Sequence, residues 1–260
     1  MPPPRPQTLP VFLLIRTAFQ LLWRQRDDAL RLGLIPTLIC FGGIIYGRDA
    51  LTVVAGQMRS GAMDQLPPGV SFTIMATLLI TTLAVALAVA NWLRFTLLGP
   101  MGAVGLGLNI GRSHLGFVIS LLFLLFAASI AFVVLSMPIL LLPGLWQSAG
   151  LVIVVLVIIV LATRLSPFLV GQAIGQPISL QQAWAASRGN GVSLAVALIL
   201  VQVPPLIAVE LVSQILFAVG FASVAPLAMF FIGSVFQIAS AILLAIVLGT
   251  SFRHLVGIRV

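Results

Sequence analysis

The stretch LVIVVLVIIVLA, residues 151–162, decides the fold class of this chain. Its twelve consecutive apolar residues include no charge, no proline and no glycine. Each central Leu, Ile or Val favours insertion into a bilayer by about 0.3–0.6 kcal/mol, so this run alone favours insertion by several kcal/mol. Its many β-branched residues would also suit a buried strand. Length and five similar segments decide for a transmembrane helix, because lipid accepts only helices and closed barrels.

Six segments in all approach the ~20 mostly apolar residues that a transmembrane helix needs. None shows the apolar–polar alternation of an outer-membrane barrel strand. The third contains Pro138, and the fifth contains the pair Pro204 and Pro205. The predicted fold is therefore all-α, a polytopic transmembrane helical bundle of about six spans with cytoplasmic interfacial helices. The predicted spans cover residues 30–46, 70–90, 115–142, 145–165, 192–217 and 224–248.

The composition of the whole chain indicates a surface that faces lipid. Of 260 residues, 61% are hydrophobic and 7% are charged, whereas a soluble domain carries about 25% charged residues. Mean hydropathy is +1.23. So few charges cannot cover a water-facing surface. The predicted organisation is a cytoplasmic tail over residues 1–29, a six-span domain over 30–250 and a second cytoplasmic tail over 251–260.

The charge distribution predicts how the spans thread through the membrane. All thirteen basic residues are arginines, and eleven fall in the two tails, in the loops after the second and fourth spans, or at the span ends beside them. The opposite side has only Arg48 and Arg59, offset by Asp49 and Asp64. Because cytoplasmic loops are enriched in Arg and Lys, both termini are predicted to be cytoplasmic. Scattered arginines also argue against nucleic-acid binding, which uses a basic stripe.

The chain offers little for catalysis, cofactor binding or metal coordination. It holds five acidic residues, two histidines and the single cysteine Cys40, which lies inside an apolar run. His114 and His254 lie at predicted span boundaries without a neighbouring acid, which catalysis or metal binding would need. No phosphate-binding loop or zinc-protease motif occurs. We therefore predict no enzyme, no cofactor and no metal site.

Two short amphipathic segments are predicted to lie in the headgroup plane of the cytoplasmic leaflet. Residues 10–28 place apolar side chains on one helical face and Arg16 and Arg24 on the other. Residues 179–188 begin with the capping-box pattern Ser-x-x-Gln and end before Gly189.

Arginines beside these segments form the first candidate site. Guanidinium groups at the cytoplasmic boundary can bind anionic lipid headgroups. The alternative is that these arginines only set the topology and anchor the spans. The possible headgroup contacts are Arg94, Arg112, Arg164, Trp184 and Arg188.

The fifth span supplies the second candidate site. Glu210 is the only acidic residue within an apolar span, where a carboxylate near the bilayer centre costs about 2.5–3.5 kcal/mol. The two prolines predict a kink, and a broken helix beside an acid resembles an ion or proton site. The alternative places Glu210 about 27 Å along the helix from Val192, near the outer interface and within reach of water. The intramembrane polar candidates are Gln202, Pro204, Pro205, Glu210 and Gln214.

Two further patterns concern packing and duplication. Gly107 and Gly111 have the GxxxG spacing of close helix contacts. Residues 90–99, ANWLRFTLLG, and 162–171, ATRLSPFLVG, align without a gap. The alignment suggests a repeated hairpin unit, and chance similarity between apolar segments accounts for it equally well.

The stretch RLSPFLVGQAIGQPISLQQAWAASRGNG, residues 164–191, carries a family resemblance. A span ends in an arginine shortly before a proline, then come a glycine-rich step, the pattern S-L-x-x-A-W and a Ser-x-Gly turn. This resembles uncharacterised bacterial six-span membrane proteins, similar to the membrane domain attached to some glycerophosphodiester phosphodiesterases. The resemblance covers about a tenth of the chain. It implies a fold and a membrane setting but no activity, because no phosphodiesterase catalytic domain is present.

These patterns together predict a non-enzymatic protein of the bacterial inner membrane. Arginine without lysine, among abundant Ala, Leu, Val and Gly, fits a GC-rich bacterial genome. The expected partners are membrane lipids and a protein partner or second copy of the chain. The alternative function is a small transporter or channel subunit that uses the kinked fifth span and Glu210, and an intramembrane enzyme is the third hypothesis.

Overall fold

The computed structural model describes residues 9–60, 67, 69–99, 111–220 and 226–256. Within these ranges the chain forms nine α-helices and no strand, which confirms the predicted all-α class. A 3-10 turn, Ile139–Leu141, follows the fourth helix. The helices are α1 (Val11–Arg24), α2 (Arg26–Ser60), α3 (Val70–Leu98), α4 (Arg112–Ser136), α5 (Gly144–Arg164), α6 (Ser166–Ile174), α7 (Leu180–Ala186), α8 (Gly191–Ala218) and α9 (Pro226–Val256).

Six of the helices, α2, α3, α4, α5, α8 and α9, are long and apolar enough to cross a membrane. The chain is therefore built as a multi-pass membrane protein, as predicted. The first span is longer than its predicted bounds of 30–46, because α2 continues through Arg48 and Asp49 to Ser60. At 1.5 Å per residue a 35-residue helix is about 52 Å long, so part of α2 extends beyond a hydrocarbon core of about 30 Å.

The core of the bundle lies where α2, α3, α8 and α9 meet. Trp92, Leu93 and Ile246 are fully buried there. The most apolar stretches of α4 and α5 are 0% and 6% buried, against 50% for α9. Large apolar side chains that are exposed over whole helices are stable in lipid and not in water. We conclude that α4 and α5 present the widest lipid-facing surface.

The closest helix contact joins α2 and α3 at two glycines. A Cβ on Gly43 would lie 2.8 Å from Ile80, and a Cβ on Gly47 would lie 2.1 Å from the Thr77 hydroxyl. Gly43 and Gly47 have the small-xxx-small spacing that lets helix backbones approach in membranes. This pair was not among the predictions, which named Gly107 and Gly111 for a close helix contact; Gly107 lies outside the described residues.

Three hydrogen bonds bring helix ends that carry arginine together at one end of the bundle, called here the arginine end: Arg94 to the end of α6, Arg253 to the end of α3, and Ser187 to the end of α5. α1 packs there against α8 and α9, and the Leu9 backbone N–H donates to Asn190 Oδ1 at 3.1 Å. Both predicted short helices are present, as α1 and α7. The first ends at Arg24 and not at Asp28, because residues 26–28 already form the start of α2. The capping box is confirmed, since Gln182 N donates to Ser179 Oγ at 3.2 Å and Ser179 N donates to Gln182 Oε1 at 2.8 Å.

Candidate functional site

A pocket of about 670 Å³ opens at the arginine end, between the end of α5 and the short helix α7. It brings together three of the five predicted headgroup contacts, Arg164, Trp184 and Arg188. The remaining lining residues are Leu165, Leu180, Gln181 and Ala185. We call this cavity the α5–α7 pocket.

The local sequence explains how α7 comes to lie against the end of α5. α6 starts directly after Leu165 with Pro167 in its first turn, a position that proline favours. The chain then reverses at Gly175, whose φ of +76° suits glycine. Ser187, at the end of α7, donates its hydroxyl hydrogen bond to the Arg164 carbonyl at 2.9 Å. The two helix ends are therefore fixed to each other by a short, half-buried bond.

Arg164 is held in one orientation inside the pocket. Its guanidinium carbon lies 3.6 Å from the centroid of the Trp184 ring, a close cation–π stack. The carbon chain of Arg164 passes over Gly191, where an added Cβ would lie 2.6 Å from Cγ. The buried Nε of Arg164 has no hydrogen-bond partner in the structure. The stack therefore positions this guanidinium before any ligand arrives.

The electrostatics of the pocket favour an anion. Arg188 is exposed at its rim and adds a second guanidinium to that of Arg164. No acidic side chain lines the cavity, and the five acids of the chain all lie outside residues 65–209. Arginine pairs readily with phosphate because its planar donors match the phosphate oxygens. The arrangement can therefore bind a phosphate group from the arginine end.

Arg94 belongs to a different cluster and joins three helices. Its Nη1 donates to Ser113 Oγ at 2.7 Å and to the Ala173 carbonyl at 3.1 Å. These bonds tie the end of α3 to the start of α4 and the end of α6. Arg112 is exposed at the start of α4 and does not line the α5–α7 pocket. Of the five predicted headgroup contacts, Arg164, Trp184 and Arg188 therefore line the α5–α7 pocket, whereas Arg94 and Arg112 lie outside it.

A buried pair beside Arg94 was missed by the sequence analysis. Asn91 is 1% and His114 is 2% exposed, and His114 Nε2 lies 3.0 Å from Asn91 Oδ1. The Gly111 backbone N–H donates to His114 Nδ1 at 3.4 Å, which places the ring proton on Nε2. This pair fixes the start of α4 against α3. The signal was available, since Asn91 is a polar residue within an apolar run.

The polar candidates of the fifth span do not gather into one site. α8 runs from Gly191 to Ala218 with both Pro204 and Pro205 inside it. Gln202 Nε2 donates to the Ser240 carbonyl of α9 at 3.1 Å. Glu210 is exposed and accepts a hydrogen bond from Gln214 Nε2 at 2.7 Å, one turn further along. Glu210 and Gln202 thus have separate partners on different stretches of α8.

We expect the change Glu210→Gln to alter the free energy of unfolding by less than about 0.5 kcal/mol, because the side chain is exposed. The amide can keep a hydrogen bond to Gln214. Unfolding in detergent, followed by circular dichroism, measures the change. A proton-driven flux that this variant abolishes would instead support a transport role for Glu210.

Comparisons of the chain with family models, curated proteins and solved structures find no match.

Proposed function

We propose that this chain is a non-enzymatic protein of the bacterial inner membrane that binds an anionic phospholipid headgroup in the α5–α7 pocket. The observation that carries the proposal is the pair of guanidiniums, Arg164 and Arg188, lining one cavity without a carboxylate. With the arginine end on the cytoplasmic side, the pocket opens at the headgroups of the inner leaflet. The bundle would then organise anionic lipid around itself or beside a protein partner.

Membrane electrostatics support the same assignment. The cytoplasmic leaflet is negatively charged, and each arginine near its surface gains about 1 kcal/mol of attraction. The stacked Trp184 is 40% exposed, so its ring contributes to the pocket wall while the indole still reaches the surface. Tryptophan is enriched at this depth of a bilayer because it joins an apolar body to a polar edge. The pocket thus offers positive charge to the phosphate and an apolar wall to the part of an acyl chain nearest the glycerol.

We expect the change Arg188→Gln to lower retained phosphatidylglycerol about fivefold, because it removes a direct charge-assisted hydrogen bond to the bound phosphate, which contributes about 1 kcal/mol at an exposed position. Arg188 is exposed, so the fold should survive the change. The measurement is mass spectrometry of lipid that remains bound to the protein after purification in mild detergent.

Arg112→Gln is the matched control for this experiment. It removes the same charge from another exposed arginine at the same end of the bundle, outside the pocket. We expect this variant to retain wild-type amounts of phosphatidylglycerol. An equal loss from both variants would show general attraction to positive charge, and no loss from Arg188→Gln would contradict the proposed function.

A further inference from the structure

A second cavity, apolar and separate from the α5–α7 pocket, lies between α1, α2 and α9. Its volume is about 510 Å³, which falls within the range of about 300–1,000 Å³ found for small-molecule sites. On α2 its lining recurs at helical spacing from Arg26 to Thr37, so one stripe of this helix forms a wall. We call this cavity the α1–α2 groove.

The groove exists because α1 and α2 diverge from a single linking residue, Gln25. α1 packs against α8 and α9, whereas α2 packs mainly against α3 and α9. Ile238 and Ile242 of α9 form the floor of the wedge between them. Gly33 packs directly on Ile238 and Ile242, which are 2% and 3% exposed. The groove is open beside this contact, where the half-buried Ala239 adds only a methyl group to the wall.

The interior of the groove suits a hydrocarbon chain. Among the described residues that line the groove, polar side-chain groups come only from Arg26, the Thr37 hydroxyl and the Trp23 indole N–H. The Thr37 hydroxyl already donates to the Gly33 carbonyl at 2.8 Å, so it needs no further partner. An apolar occupant loses no hydrogen bond here and gains burial against side chains of three helices.

Arg26 lines the groove, and the next residue, Asp27, lies beside it just outside the lining. The Arg26 guanidinium carbon lies 5.9 Å from the centroid of the Trp23 ring, and Arg26 Nε lies 3.9 Å from Asp27 Oδ1. The two side chains are 66% and 95% exposed, so both remain accessible to a ligand. A phosphate beside an ammonium matches both charges of this pair, whereas a headgroup with only a negative charge leaves Asp27 without a partner in the lipid.

We propose that the α1–α2 groove binds one zwitterionic phospholipid with the headgroup chemistry of phosphatidylethanolamine. One acyl chain lies in the groove, the phosphate pairs with Arg26 and the ammonium pairs with Asp27. This site differs from the α5–α7 pocket in its residues and in the headgroup that it prefers. It therefore stands or falls independently of the proposed function.

The proposed place of the acyl chain in the α1–α2 groove is tested by native mass spectrometry. The purified protein is titrated with dioleoyl phosphatidylethanolamine, and bound lipid is measured. The change Ala239→Phe places a ring on the groove wall and excludes two or three methylenes, which should weaken binding roughly ten- to fiftyfold. Ala127→Phe is the matched control, because Ala127 is an exposed alanine on α4, outside the groove. The control should bind like the wild type.

The proposed pairing of the lipid phosphate with Arg26 is tested by the change Arg26→Gln, and Arg24→Gln is its control. Both arginines are exposed, and only Arg26 lines the groove. We expect about a fivefold loss of phosphatidylethanolamine affinity for Arg26→Gln, which loses its direct pair with the phosphate, and no loss for Arg24→Gln, which makes no such pair. If Ala239→Phe fails to fold, this second pair decides the proposal.

Repeating the titration with phosphatidylglycerol in place of phosphatidylethanolamine tests the headgroup preference of the groove. Adducts with phosphatidylglycerol should be insensitive to Ala239→Phe, since the groove disfavours that headgroup. Equal sensitivity for both lipids would overturn the headgroup assignment. If a groove variant and its control lost phosphatidylethanolamine affinity equally, in either matched pair, the lipid would be binding without preference for the groove. That result would contradict the proposed site.

Discussion

The change Gly47→Leu should destabilise the protein by about 3 kcal/mol or more, because it overpacks the closest helix contact in the bundle. A Cβ at this position would lie 2.1 Å from Thr77 Oγ1 and 2.8 Å from Thr77 Cγ2. Thr77 is 4% exposed and donates its hydroxyl to the Thr73 carbonyl at 2.8 Å, so it cannot turn away freely. A leucine would therefore push α2 and α3 apart. Unfolding of the detergent-solubilised protein by sodium dodecyl sulfate measures the loss.

Gly42→Leu provides the matched control on the same helix. No atom lies within 4 Å of a Cβ at Gly42, and the residue is exposed. We expect a change within about 0.5 kcal/mol, as for other open surface positions. Equal destabilisation by the two leucines would mean that the α2–α3 contact does not depend on glycine at position 47.

The change Asn91→Leu should cost about 1–3 kcal/mol of stability, because it removes the partner of a buried ring nitrogen. His114 is 2% exposed, and its Nε2 lies 3.0 Å from Asn91 Oδ1. Leucine is close to asparagine in size, so packing changes little while the hydrogen bond is lost. Thermal unfolding of the purified protein in one fixed detergent gives the difference.

The double variant Asn91→Leu with His114→Phe separates the hydrogen bond from the packing. Replacing both polar partners with apolar groups of similar shape is often nearly neutral. We therefore expect the double variant to be more stable than Asn91→Leu alone. Additive losses from the two single changes would show that the pair does not interact energetically.

The number of spans could be predicted from the sequence because each is a long apolar run. Runs such as residues 151–162 have no competing structure in lipid, so their helical state does not depend on distant contacts. Span boundaries were less predictable. Arg48 and Asp49 were interpreted as the end of the first span, but nothing in the sequence up to Ser60 stops a helix, and α2 continues. α6 was also missed, because Pro167 was taken to follow the fourth span instead of starting a new helix.

The candidate site was predictable only where its residues lie close in sequence. Arg164, Trp184 and Arg188 flank one turn region, so a short returning helix brings them together. Arg94 was grouped with them as a possible headgroup contact, but it does not line this pocket. Its bond to the Ala173 carbonyl spans 79 residues and depends on tertiary packing, which the sequence pattern does not reveal. Gly43 and Gly47 follow a recognisable spacing, but 23 glycines make that spacing common in this chain.

Site-directed labelling with a membrane-impermeant maleimide tests most directly whether the α5–α7 pocket faces the cytoplasmic leaflet. The native Cys40 is fully buried, so cysteines placed at the exposed positions Gln20, Ser148 and Arg188 report their own accessibility. We predict that Gln20→Cys and Arg188→Cys react only in inside-out vesicles and that Ser148→Cys reacts only in right-side-out vesicles. Reaction of Arg188→Cys in right-side-out vesicles would contradict this account.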